Sequence, residues 1–89
     1  MIVKNINRTN GKETEIEFED IKIKNDENLS FIITDKTLNR KINLSQVVYL
    51  HKNTLILYIP NQIKIPQGNY NYRLAEGSKI LVSGEFKVK

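Results

Sequence analysis

The stretch Pro66-Gln67-Gly68-Asn69-Tyr70-Asn71-Tyr72-Arg73-Leu74, with Gly77 behind it and then Ile80-Leu81-Val82-Ser83-Gly84-Glu85-Phe86-Lys87-Val88, decides the fold. Proline and glycine stop what precedes. Tyr70, Tyr72 and Leu74 then alternate with polar residues, the period-two pattern of a strand with one buried face. Gly77 marks the turn, and on the return Ile80, Val82, Gly84, Phe86 and Val88 share one parity. The pattern predicts a hairpin with both tyrosines buried and their hydroxyls at the rim. Within it Gly84 either leaves space for a facing tyrosine ring or marks a bulge.

Working outward, the same rhythm recurs. A strand is expected over residues 1–8, followed by a turn at Asn10-Gly11. A second covers 13–18, with Thr14, Ile16 and Phe18 on one parity and glutamates on the other. Beyond Asp20 the apolar phase slips to Ile21 and Ile23, so a bulge or corner is expected near Glu19-Asp20. After a polar turn at 25–28 comes a strand over 29–34 with Leu29, Phe31 and Ile33 inward, and a turn at 35–37. Short strands follow over 38–44 and 46–50, although 47–50 also suits one helical turn; β-branched and aromatic content favours strand. Lys52-Asn53 links to a strand over 54–59, and Pro60 and Pro66 bracket a connection with an extended centre at 63–65. No segment has the spacing of a long amphipathic helix. The whole chain, residues 1–89, is expected to be one antiparallel β-sandwich of about seven or eight short strands, with a small open β-barrel as the alternative.

Pro66, Gly68, Tyr70, Tyr72, Leu74, Gly77, Leu81, Gly84, Phe86 and Val88 together resemble the closing block of small immunoglobulin-like domains in tailed-phage structural proteins. Such domains occur in baseplate upper proteins, in tail-fibre and head-fibre attachment modules and in capsid decoration proteins. Leu29-Ser30-Phe31-Ile32-Ile33-Thr34-Asp35 is similar to their early core strand. The resemblance is close over the last quarter of the chain and loose in the middle. It implies an immunoglobulin-like sandwich and a non-enzymatic virion protein, auxiliary on the capsid or at a head attachment. The expected partners are other virion proteins (major capsid, fibre or baseplate) and copies of itself. A tail or baseplate receptor-binding adaptor is an alternative.

An 89-residue chain has room for one core that only modestly outweighs the entropy of ordering it, so partners are expected to contribute. It contains no cysteine, which removes disulfides and thiolate metal sites and suits folding in the host cytoplasm, where virions assemble. The first residues lack the apolar run of a signal peptide or membrane span. The net charge of +4 raises nucleic acid as a partner, and Tyr70 and Tyr72 beside Arg73 would suit base stacking in a small β-barrel. The lysines, however, are dispersed at alternate positions, as on a solvated sheet face, and the tyrosines share the parity of Leu74.

Two groups of residues exceed the needs of a core. Residues 55–59 are apolar on both parities: with Leu55, Leu57 and Ile59 inside, Ile56 and Tyr58 face elsewhere, and Ile32, Val48 and Leu50 pose the same question. These five are the expected docking face. Glu13, Glu15, Glu17 and Glu19 form an expected acidic ridge, suited to contact with a basic surface or to discouraging edge pairing. Little suggests catalysis. The lone His51 has no carboxylate neighbour, the serines lie in no nucleophile motif, and alternate glutamates on a strand do not converge on a cation. No cofactor, metal, small-molecule substrate or membrane is expected.

Overall fold

Residues 6–23 and 28–89 are described by the computed structural model. They form eight strands: β1 (Ile6–Arg8), β2 (Thr14–Phe18), β3 (Leu29–Asp35), β4 (Lys41–Asn43), β5 (Val48–His51), β6 (Thr54–Ile59), β7 (Gly68–Glu76) and β8 (Lys79–Val88). Five pair in the order β1-β8-β7-β3-β4 and three in the order β2-β6-β5. This is the arrangement of an immunoglobulin-like sandwich: β2, β6 and β5 stand as strands B, E and D, while β8, β7 and β3 stand as G, F and C with β4 beside them. The sandwich is antiparallel as expected apart from one pairing: β1 runs parallel to β8, Ile6 opposite Phe86 and Arg8 opposite Val88. Of the strand expected over residues 1–8, only Ile6–Arg8 falls within the described residues, and the expected turn at 25–28 lies outside them except for Asn28.

The core follows from parity. Tyr70, Tyr72 and Leu74 of β7, Phe31 and Ile33 of β3, and Phe86 and Val88 of β8 are buried against Phe18, Leu55, Leu57 and Ile59 of the smaller sheet. At its centre Phe31 and Tyr72 stack with ring centroids 5.5 Å apart, and Phe18 reaches across from the other sheet to within 6.4 Å of Phe31 and 6.3 Å of Tyr72. Tyr72 lies opposite Gly84. A Cβ on Gly84 would sit 2.7 Å from Tyr72 Cε2, so the glycine does leave space for a ring. The bulge lies three residues away, where Leu74 pairs with Val82 but Ala75 pairs with Ile80. Leu81 is the extra residue. It takes an inward place against the core, and Ile80, expected inside by parity, turns out to solvent.

Several turns stand where the sequence places them. Asp20 has a left-handed φ of 56°, the corner that returns Ile21 to the core, and Gly77 turns β7 into β8 with φ 59°. Asp35 closes β3 and its carboxylate accepts the backbone N–H groups of Thr37 and Leu38 at 2.7 and 3.0 Å. These bonds hold its pKa below the ordinary carboxylate range. The strands expected over 38–44 and 46–50 are shorter: Leu38 is exposed in the turn, β4 begins at Lys41, and Ser45–Val47 forms a 3-10 turn before β5. Tyr70, near the start of β7, donates its hydroxyl to the Pro66 carbonyl at 2.5 Å. A tyrosine bonded back to the chain a few residues upstream at this corner is a hallmark of immunoglobulin-type sandwiches.

Arg8 is fully buried and pairs with no carboxylate among the described residues. Its guanidinium donates to the carbonyls of Lys12, Ile59, Pro60 and Ile63 and to the Thr14 hydroxyl, with 2.6 Å to Ile63 and 2.7 Å to Pro60. One side chain thus ties β1 to the β1–β2 turn, to β2, to the end of β6 and to the following connection. Asn10 fastens that connection again, donating to the Ile65 carbonyl at 2.7 Å and accepting the Ile65 N–H at 3.0 Å. Replacing Arg8 with Ala removes a donor that four carbonyls and the Thr14 hydroxyl share and should destabilise by about 3–5 kcal/mol in urea unfolding. Arg8→Lys should recover only part of this, since an ammonium cannot present the same planar fork. Gly84→Ala should cost about 1–3 kcal/mol in the same assay, the penalty of an overpacked core.

Candidate docking face

Pairing register decides which side chains share the outside of the three-stranded sheet. In β6, Leu55, Leu57 and Ile59 point inward, so Thr54, Ile56 and Tyr58 point out. Across β2 the partner of Tyr58 is Glu15 and that of Ile56 is Glu17. Across β5, Ile56 faces Tyr49 and Thr54 faces His51. The result is a row Glu17–Ile56–Tyr49 with Glu15–Tyr58 beside it. Tyr49 is 55% exposed, one of the most open large apolar side chains among the described residues.

Glu13, just ahead of β2, accepts a 2.9 Å hydrogen bond from the Tyr58 hydroxyl. That bond, then desolvation and the charges of Glu13 and Glu15, push the Tyr58 phenol above its ordinary pKa. Glu15 and Glu17 are exposed on the edge strand β2, and Glu19 lies beyond its end. Three glutamates therefore flank the aromatic patch, and the fourth of the expected ridge falls outside the strand.

The five residues expected as one docking face do not form one. Ile56 and Tyr58 lie together, as expected. Val48 and Leu50 pair with Leu57 and Leu55 and hence share the core-facing side, where Val48 packs on the core. Ile32 belongs to β3, on the outside of the other sheet between Asn43 and Arg73. Tyr49 was missed, although a signal for it exists. A two-residue turn at Lys52-Asn53 sets His51 opposite Thr54, so Leu50 must share the side of Leu55 and Tyr49 that of Ile56. The signature residues Tyr70, Tyr72, Leu74, Phe86 and Val88 fill the core, Gly68 opens β7, and Pro66 supplies the corner carbonyl. His51 is exposed at a hairpin end, and among the described residues no three His, Asp or Glu side chains are grouped as a metal would need.

The chain matches no protein-family model and no curated protein sequence. Among solved structures, its fold is similar to part of a putative glycoside hydrolase from Bacteroides vulgatus ATCC 8482, with a TM-score of 0.53 and 14% identity. The match covers 94% of this chain and 16% of that one, so the chain spans about a sixth of that protein. At this identity the likeness concerns the sandwich alone.

Replacing Glu13 with Gln removes a charged acceptor that favours the protonated phenol. The Tyr58 titration, followed by NMR at its ring carbon Cζ, should then move down towards that of an ordinary tyrosine; an unmoved titration would show that Glu13 does not govern it.

Proposed function

We propose that this chain is a non-enzymatic structural module that docks on a larger particle through the outer face of β2-β6-β5. The kind of work is that implied by its resemblance to tailed-phage domains, decoration of a capsid or attachment at a head, fibre or baseplate. The observation that carries the reading is the composition of that face, with exposed Tyr49 beside Ile56 and Tyr58 and glutamates along one side. Aromatic side chains at the centre of a patch supply most of the energy of protein–protein contacts, and charges at the rim set orientation and discriminate among partners. Likeness to a sixth of a longer chain accords with a module that acts as part of something larger. The competing reading, base stacking at residues 69–73, has no exposed ring to use, because Tyr70 and Tyr72 are 1% and 2% exposed.

Quantitative mass spectrometry of virus-like particles from the producing culture should find this chain at a simple ratio to the major shell protein; its absence from such particles would overturn the virion assignment. Tyr49→Glu places a charge in the patch without touching the core. It should prevent incorporation into particles while changing stability by no more than about 0.5 kcal/mol.

A further inference from the structure

The two outer faces of the sandwich carry opposite charge. On the outside of the five-stranded sheet, Lys41 of β4, Arg73 of β7 and Lys87 of β8 are exposed and make no ion pair among the described residues. Glu85, the acidic side chain in the strands of that face, is already occupied by Lys36 at 2.9 Å. Register places the neutral Asn71 opposite both Thr34 and Glu85, and Asn69 opposite Lys87. On the other side of the molecule the outward strand positions of β2-β6-β5 include no Lys or Arg, and Glu13, Glu15 and Glu17 border the tyrosine patch.

Facing opposite ways, these surfaces cannot meet within one molecule, but a second copy displaced along the sheet normal brings them into register. We infer that the acidic aromatic face of one copy seats on the basic five-stranded face of the next, so that copies stack head to tail. This rests on the docking reading above and names its partner as a second copy of this chain. The contact is heterologous: the copy at either end of a stack keeps one unsatisfied face, so the stack continues unless a rotation closes it into a ring. Three strands about 4.8 Å apart and about 20 Å long offer only a few hundred Å². Such a contact belongs among small, weak interfaces, forms in concentrated protein and is sensitive to salt.

Sedimentation velocity on the purified full chain tests this. At low ionic strength the mean mass should climb with protein concentration past that of a dimer, and 0.5 M salt should return it to the monomer. Glu15→Lys/Glu17→Lys gives two basic faces and Lys41→Glu/Arg73→Glu two acidic ones, so each double variant alone should remain monomeric. Their equimolar mixture should associate again, because the altered faces now match each other. Circular dichroism establishes that both variants are folded, and the wild-type salt series stands if either is not. A wild-type chain that is monomeric at millimolar concentration, or association indifferent to salt and to both reversals, would overturn the stacking. Neither result bears on whether particles contain the chain, which the particle measurement decides separately.

Discussion

A buried cation with no anion beside it among the described residues governs this sandwich. Taking a guanidinium out of water is costly, and Arg8 recovers that cost only because four carbonyls and a hydroxyl converge on it from the β1–β2 turn, β2, the end of β6 and the connection that follows. Burial lowers its pKa, yet a guanidinium remains charged at any ordinary pH. The arginine in turn serves these carbonyls, of which that of Pro60 also accepts the Ile63 N–H at 3.2 Å. Within the described residues β1 pairs with β8. The side chain of Arg8 ties that strand to the smaller sheet as well, which the ladder with β8 does not do.

A second constraint acts at the middle of the core. Four rings from both sheets meet there, and Tyr72 fits only because its cross-strand neighbour has no side chain. The Tyr72 hydroxyl finds no partner while buried, whereas that of Tyr70 reaches the Pro66 carbonyl. The two tyrosines thus divide their work: one fills space, and the other pins a corner.

Much of this was legible in the residues. Alternation of apolar with polar residues in β2 and β7 set their inward sides, and the phase slip after Phe18 announced the corner that Asp20 makes. What escaped depended on contacts distant in sequence. Nothing near Arg8 marks it as buried, because its partners at Ile59, Pro60 and Ile63 lie some fifty residues on. Parallel pairing of β1 leaves no local trace either. Ile80 misled because a one-residue bulge reverses parity without altering composition. Around β5, Val47, Val48, Tyr49 and Leu50 in succession conceal which side is which, and only the register of the short turn at Lys52-Asn53 separates Tyr49 from its neighbours. The outward side of the smaller sheet was therefore half seen, through β6 alone.

The parallel pairing of β1 with β8 has a mechanical side. Ile6 lies beside Phe86, while Lys89 continues past Arg8 and Asn10, hydrogen-bonded to both. A tension drawn between Ile6 and Lys89 therefore pulls the two strands along their length in opposite senses. All of their hydrogen bonds share the strain at once instead of opening one after another, as they would at the free end of a hairpin. Forced unfolding is governed by the height of the barrier to the first rupture. That barrier is raised when several bonds must fail together, and here the Arg8 contacts must fail with them. Traction between these two points is therefore met by the whole β1–β8 ladder together.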